Sequence, residues 1–358
     1  MDSEHNEYRE HPVSPNEGPQ SPDGAPRPFA PYPTYPVSPR RKVSGWRVFW
    51  GVLFGLSVLA NVGLFILLIA AIAVVAAGGG TAYEAVISEG PRTNKIAVIN
   101  VDGIIDETQS QEVYRQLEAA GDDDAVKGII VRVNSPGGTI SASDRIYQQI
   151  ADFRGKRRKP AVAFMQGMAA SGGYYVSVAC EEIIAEPTAI TGSIGVIMAH
   201  FVFEDLLEDK LGIQPVFMTM GQKKDWPSSF RKPSDEELTY IHDRLLEPAY
   251  DRFVDVVEQG RKDVLSSEDV GKLADGSIFV ADEAKEVELI DDVGYLDDAI
   301  AKVKALAGIT KAQVIEYRTP FSFMNILNAK AKTGLLHFDR TTLFELSTPQ
   351  VLYLWNAY

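Results

Sequence analysis

From Val48 to Ala82 the chain carries no charged residue, and Val52–Ala77 is almost wholly aliphatic. A bilayer core takes about 20 apolar residues of helix, so residues 48–77 are read as a transmembrane helix. That single element divides the chain into a short segment before it and a long one after it. Arg40, Arg41, Lys42 and Arg47 precede the run, whereas Gly78–Ala82 are neutral and Glu84 is acidic. The positive-inside bias places residues 1–47 in the cytoplasm and everything after the helix outside it, at the cell membrane. Trp46 and Trp50 suit the membrane interface. A cleaved signal peptide is the competing reading, but the apolar run is too long and the tail ahead of it unusual for one.

Residues 1–39 hold ten of the chain's 20 prolines, mixed with Ser, Glu, Asp and Asn. Such a segment buries too little apolar area to offset its ordering entropy, so 1–47 is expected to be a disordered cytoplasmic tail. Residues 78–92 are read as a linker, 93–310 as the folded domain and 311–358 as a C-terminal extension. The net charge of −14 argues against nucleic acid as a partner. Cys180 is the only cysteine and lies in an apolar run, which marks a buried free thiol. No Cys/His cluster has metal-ligand spacing, so no metal and no cofactor are expected.

Beyond the linker, short aliphatic runs alternate with helical stretches. Lys95–Val101, Gly128–Val133 and Ala161–Met165 read as strands, and Ser141–Arg154 as a helix. Ile183–Ala185, Ile194–Ile197 and Val216–Thr219 look like further short strands. Strands separated by helices imply βαβ units and a largely parallel α/β sheet. Ser234-Asp235-Glu236-Glu237 is a capping box that opens a helix reaching about Gly260, interrupted at Pro248. A turn at Asp275-Gly276, a strand Ser277–Val280 and a helix near Asp297–Leu306 follow. The apolar end Val351–Trp355 can pack on the domain, on a neighbouring subunit or on the membrane.

Three glycine-rich or lysine-bearing turns carry the chemistry. Ser171 stands in Met168-Ala169-Ala170-Ser171-Gly172-Gly173-Tyr174-Tyr175, after a strand. Upstream, Asn134-Ser135-Pro136-Gly137-Gly138 offers backbone N–H groups free of side-chain obstruction, as an oxyanion needs. Downstream, Lys223 and Lys224 follow Gly221-Gln222. A serine hydroxyl needs a base. Of the histidines outside the tail and the C-terminal extension, only His200 and His242 are candidates, and neither sits in a catalytic pattern. A lysine can serve instead when desolvation favours its neutral amine. The pattern points to a Ser-Lys acyl-transfer centre.

These residues together resemble the bacterial signal peptide peptidase A family, in its half-length form with one protease domain per chain. The resemblance runs through Val133–Gly138, Met168–Tyr175, Thr191-Gly192-Ser193-Ile194-Gly195-Val196 and Lys224-Asp225 with Arg231 seven residues after the lysine. It covers roughly residues 93–305 and the anchor before them. The resemblance implies a ClpP/crotonase-like spiral of βαβ units. It also implies a serine endopeptidase in which Ser171 is the nucleophile, Lys224 the general base and proton donor, and Ser193 the group that orients the lysine. Gly137, Gly138 and Gly172 supply the oxyanion hole in this reading. The implied substrates are remnant signal peptides and other apolar peptides. The implied assembly is a homo-oligomeric ring whose sites combine serine and lysine from adjacent protomers. Gln222-Lys223 and Trp226-Pro227 depart from the family's pattern around the lysine. Two other readings share the fold: a catalytically silent membrane scaffold, and a crotonase-type acyl-CoA enzyme. Retention of both Ser171 and Lys224 speaks against the first, and the anchor against the second.

Overall fold

The structure is a computed structural model that describes residues 44–77, 83–318 and 350–355. Most of the expected Pro-rich tail therefore lies outside the described residues. The apolar run forms one helix, α1 (Gly45–Ala77), which starts three residues before the expected span. Residues Gly45–Ala71 are long and apolar enough to cross a bilayer. Its one amide side chain, Asn61, donates to the Ser57 carbonyl at 2.7 Å, so that polar group is satisfied within the helix. Trp46, Phe49 and Trp50 cluster at its start, with ring centroids 5.9–6.0 Å apart.

The folded unit begins with β1 (Tyr83–Ser88), β2 (Lys95–Asp102), α2 (Glu107–Asp122), β3 (Val126–Ser135), β4 (Gly137–Thr139) and α3 (Ile140–Asp152). It continues through β5 (Ala161–Ala170), α4 (Gly172–Ser177), β6 (Glu182–Ala185), β7 (Ile190–Gly192) and β8 (Ile197–Ala199). Then come α5 (Asp235–Ile241), α6 (Glu247–Arg261), α7 (Ser267–Leu273), β9 (Ile278–Val280) and α8 (Ala281–Glu286). β10 (Asp292–Val293), α9 (Leu296–Ala307), β11 (Gln313–Arg318) and β12 (Gln350–Leu354) close the unit. The main sheet runs β1-β11-β2-β3-β5-β6-β10, with β7 joining β5 and β9 joining β7. From β11 to β10 every neighbouring pair is parallel.

A parallel sheet must be covered on both faces, and the strand sequences are apolar on both. Ile99, Val131 and Ala163 face a core shared with Leu117, Ile146, Ile150 and Tyr174. Their neighbours in the alternation, Val98, Ile130, Val162 and Phe164, face Ala299, Ile300 and Val303 of α9. The helices begin where the sequence supplies caps. Asp106 accepts from the Gln109 N–H at the start of α2, and Ser234 with Glu237 forms the expected capping box of α5. Pro248 falls in the first turn of α6, where its missing N–H costs nothing, after a wider turn at His242–Leu246.

Three expectations need correction. The linker 78–92 contains β1, which pairs antiparallel with β11, and β11 itself lies in the stretch set aside as extension. The expected strand Ile194–Ile197 is instead mostly the turn between β7 and β8, because Ser193 redirects the chain with a φ of 52°. The expected strand Val216–Thr219 has no ladder partner among the described residues; Met218 in it is 96% exposed. Of the three placements left open for the apolar C-terminal end, the structure shows the first: it packs on the folded unit, as β12 in a small second sheet ordered β4-β12-β8.

Candidate active site

The site residues stand at the carboxyl ends of β3, β5 and β7, which are neighbours in the sheet. Register pairs Ser135 with Ala169 and Ala170 with Gly192, so the three turns that follow these strands converge. In open α/β sheets this edge is where ligands bind.

Ser171 links β5 to α4 with φ 53° and ψ −114°, a conformation that L-residues rarely adopt. Its N–H donates to the Gly192 carbonyl at 2.8 Å and its carbonyl accepts from Tyr175 N–H at 2.9 Å, so both backbone ends are pinned. The residue is 1% exposed. Beside it, Ser193 also has a positive φ, and its N–H donates to the Ser277 carbonyl at 2.7 Å. Two serines with left-handed backbones are thus held next to each other by one strand pairing.

Gly137 and Gly138 form the first residues of β4. The Gly137 N–H donates to Ser135 Oγ at 3.0 Å, which leaves Gly138 as the upstream donor on the groove side. Both positions require glycine. Gly137 has φ 102°, and a β-carbon on Gly138 would lie 2.0 Å from the Ile105 carbonyl oxygen. Gly172 opens α4, so its N–H has no acceptor within that helix. It stands close by: a β-carbon on Gly172 would lie 3.1 Å from the Gly137 Cα.

Lys224 is not part of this cluster within the single chain. It lies exposed in a turn closed by its own N–H donating to the Gly221 carbonyl at 3.1 Å, and it has no hydrogen bond to Ser171 or Ser193. Lys223 is engaged: its Nζ sits 4.6 Å from the Trp226 ring centroid and 4.2 Å from that of Tyr240. Arg231 fixes the same segment through Asp225 and the buried Glu237. The Arg231 guanidinium, by hydrogen bonding, holds the Glu237 carboxyl below its ordinary range. His242 Nδ1 bonds to Asp243 Oδ1 at 2.9 Å, and neither it nor His200 bonds to Ser171. Cys180 is buried, which pushes its thiol up and leaves it inert.

Two features escape sequence reasoning. A packed aromatic cluster includes Tyr175 of α4 with Tyr147, Phe253 and Tyr353; the Tyr147 and Tyr175 centroids are 5.5 Å apart, those of Tyr175 and Phe253 5.0 Å, and Tyr353 lies 5.1 Å from Tyr175. Tyr175 is oriented by Asp144, which accepts its hydroxyl at 2.5 Å and is itself held by Arg252. Burial pushes the Tyr175 phenol up, so it stays neutral. A cleft of about 330 Å³ adjoins Ser193 and is lined also by Ile194, Val196, Tyr250 and Leu354.

The parallel α/β unit is of the ClpP-like class, as its match to the Clp protease family shows. The profile of Clp protease matches residues 84–190, and that of Peptidase family S49 matches residues 154–310. A candidate signal peptide peptidase SppA of Enterococcus faecium is 38% identical over 252 residues, which is 67% of this chain and 72% of that one. Protease 4 of Haemophilus influenzae is 36% identical over 220 residues, covering 60% of this chain but 35% of the longer relative. A chloroplastic serine protease SPPA of Arabidopsis thaliana is 29% identical over 273 residues, 75% of this chain and 38% of that one. The chain belongs to the signal peptide peptidase A family of S49 peptidases.

Proposed function

We propose that this protease is a membrane-anchored serine endopeptidase that hydrolyses remnant signal peptides and other apolar peptides through a Ser171-Lys224 dyad. The observation that carries the reading is the strained strand-to-helix turn at Ser171, followed by Gly172 and closely approached by the Gly137-Gly138 turn. Such a turn presents a hydroxyl at the sheet edge, and the Gly138 and Gly172 amides suit the oxygen that becomes negative when the hydroxyl attacks an amide carbon. The Ser171 proton passes to the Lys224 amine and then to the departing amine; water next cleaves the acyl-serine and restores the hydroxyl. Ser193, beside Ser171, is placed to hold that amine.

Lys224 is exposed and has no side-chain partner among the described residues of its own chain, and α1 leaves the folded unit tethered to a surface where copies concentrate. We infer a homo-oligomeric ring in which Lys224 of one protomer meets Ser171 of the next, where contact also strips the lysine's water and favours its neutral form. The basic residues before α1 support a cytoplasmic tail and a protease unit outside. Ser171→Ala and Lys224→Ala should each abolish cleavage of an apolar peptide, and a mixed assembly of the two should regain part of it. Full activity in either variant refutes the dyad; no recovery in assemblies shown to be mixed refutes sharing. Digestion of the Pro-rich tail from outside intact cells refutes the orientation.

A further inference from the structure

Ser143 stands in the first turns of α3, fully buried, and its Oγ has no hydrogen-bond partner among the described residues. A serine inside a helix commonly donates to the carbonyl four residues back. Ser177 in α4 does so, to Gly173 at 2.8 Å. Ser143 forgoes that bond. A buried hydroxyl without a partner carries a desolvation cost that nothing in the resting fold repays.

The surroundings of that hydroxyl are those of the reaction. It lies 2.6 Å from the point that a β-carbon on Gly172 would take, and Gly172 directly follows Ser171. Gly137 Cα and the carbonyl oxygen of Tyr353 each lie 3.1 Å from the same point. The missing side chain of Gly172 therefore leaves one small space, bounded by the Ser143 hydroxyl, the Gly137 backbone and an acyl oxygen. The Gly172 nitrogen borders it, 2.8 Å from the β-carbon position of Gly137. A carbonyl oxygen can thus enter this space, and the one donor there with no acceptor of its own on a side chain is Ser143.

We propose that Ser143 is a further catalytic residue, whose hydroxyl donates to the oxygen that becomes negative when Ser171 attacks. It acts beside the backbone donors of Gly138 and Gly172. This rests on the serine-protease reading above and deepens it. Ser143 transfers no proton: the Ser171 proton still passes to the base and on to the departing amine. Attack turns the planar carbonyl into a tetrahedral centre, lengthens its C–O bond and places charge on the oxygen, which then pairs with the waiting hydroxyl. In the resting fold the hydroxyl is bonded to nothing described, the Tyr353 carbonyl included. The bond therefore belongs to the transition state, and such a bond raises kcat while leaving KM alone.

The test uses the full chain in detergent, with an apolar fluorogenic peptide as substrate and the matching peptide aldehyde as inhibitor. The adduct of that aldehyde with Ser171 carries the same oxygen. Ser143→Ala should lower kcat on the order of 100-fold, the scale of losing one oxyanion donor, with KM within about twofold. Aldehyde affinity should fall by the same factor as kcat. The Tm should not fall, because an unpaired hydroxyl leaves with the substitution. Ser143→Cys, similar in size and a weaker donor, should lie between the two. Unchanged kcat and aldehyde affinity in Ser143→Ala overturn the proposal and leave the protease reading intact. A loss of kcat that comes with a lower Tm, or with unchanged aldehyde affinity, overturns it too, since packing then explains the loss. So does a Ser143→Cys as fast as wild type beside a slow Ser143→Ala, because volume alone would then suffice. Peptide cleavage by Ser171→Ala, measured alongside, overturns both readings.

Discussion

The carbonyl oxygen of Tyr353 lies 2.0 Å from the point that a β-carbon on Gly137 would take. No side chain fits there while a strand occupies the groove, whether that strand is the chain's own or a substrate's. Gly137→Ala should therefore lower kcat/KM for peptides on the order of 100-fold or more, the scale of losing oxyanion stabilisation. It should also release β12, seen as faster removal of the C-terminal residues by an added protease. Wild-type kinetics with an unchanged C-terminus would show that neither strand approaches Gly137.

Ser171, Gly137 and Gly138 were legible in the sequence because each marks a turn after an apolar run, and only glycine tolerates the approaches found at Gly137 and Gly138; Ser193 and Gly172 came from the family resemblance alone. The parallel core was legible for a related reason: Ile96–Val101 and Gly128–Val133 are apolar on both faces, as a doubly covered strand must be. What hid were elements whose partners are distant. β1 is an exposed edge strand paired with β11, more than two hundred residues away, and its sequence has no clean alternation. β12 is a short apolar run whose identity as a strand depends on edges made by β4 and β8. Conversely Val216–Thr219 has strand-like residues but no edge to pair with among the described residues of this chain.

The backbone of Ser171 makes a second prediction. A left-handed residue with a side chain stores about 1–3 kcal/mol, and Ser171 has φ 53°. Glycine relieves that strain but frees the unfolded chain, which offsets about 0.5–1 kcal/mol. Ser171→Gly should be inactive yet more stable by about 1 kcal/mol, roughly 2–4 °C in Tm. Ser171→Ala should be equally inactive without that gain. Identical melting of the two variants would remove the case for strain at the nucleophile.

Adjacent lysines should part company when each is replaced. Lys223 lies over Trp226 and Tyr240, so Lys223→Ala should cost about 0.5–1 kcal/mol of stability and leave kcat within a few-fold. Lys224 has no side-chain partner among the described residues of its own chain, so Lys224→Ala should leave the Tm of the dissociated protomer unchanged. Its kcat should fall about 10²–10⁴-fold, the scale of a lost general base. The reverse pattern in paired melting and rate measurements would move the base to Lys223.

Acid should loosen the lysine segment before the rest of the protein. Glu237 is 1% exposed and accepts from Arg231 Nη1 at 2.6 Å, while Arg231 also bonds Asp225 at 3.2 Å. Hydrogen bonding to Arg231 keeps the Glu237 carboxyl low when folded. A carboxyl with a depressed folded value stabilises fully above its unfolded value, near 4.3, and loses that contribution as pH falls through the folded value. Arg231→Ala leaves a buried carboxylate unpaired and should cost about 1–3 kcal/mol, less than a fully buried pair because the guanidinium is partly solvated. Glu237→Gln should flatten the dependence of Tm on pH between about 5 and 3, with Asp225 left in place as Arg231's remaining partner. An unaltered acid limb in Glu237→Gln would mean that another carboxyl sets it.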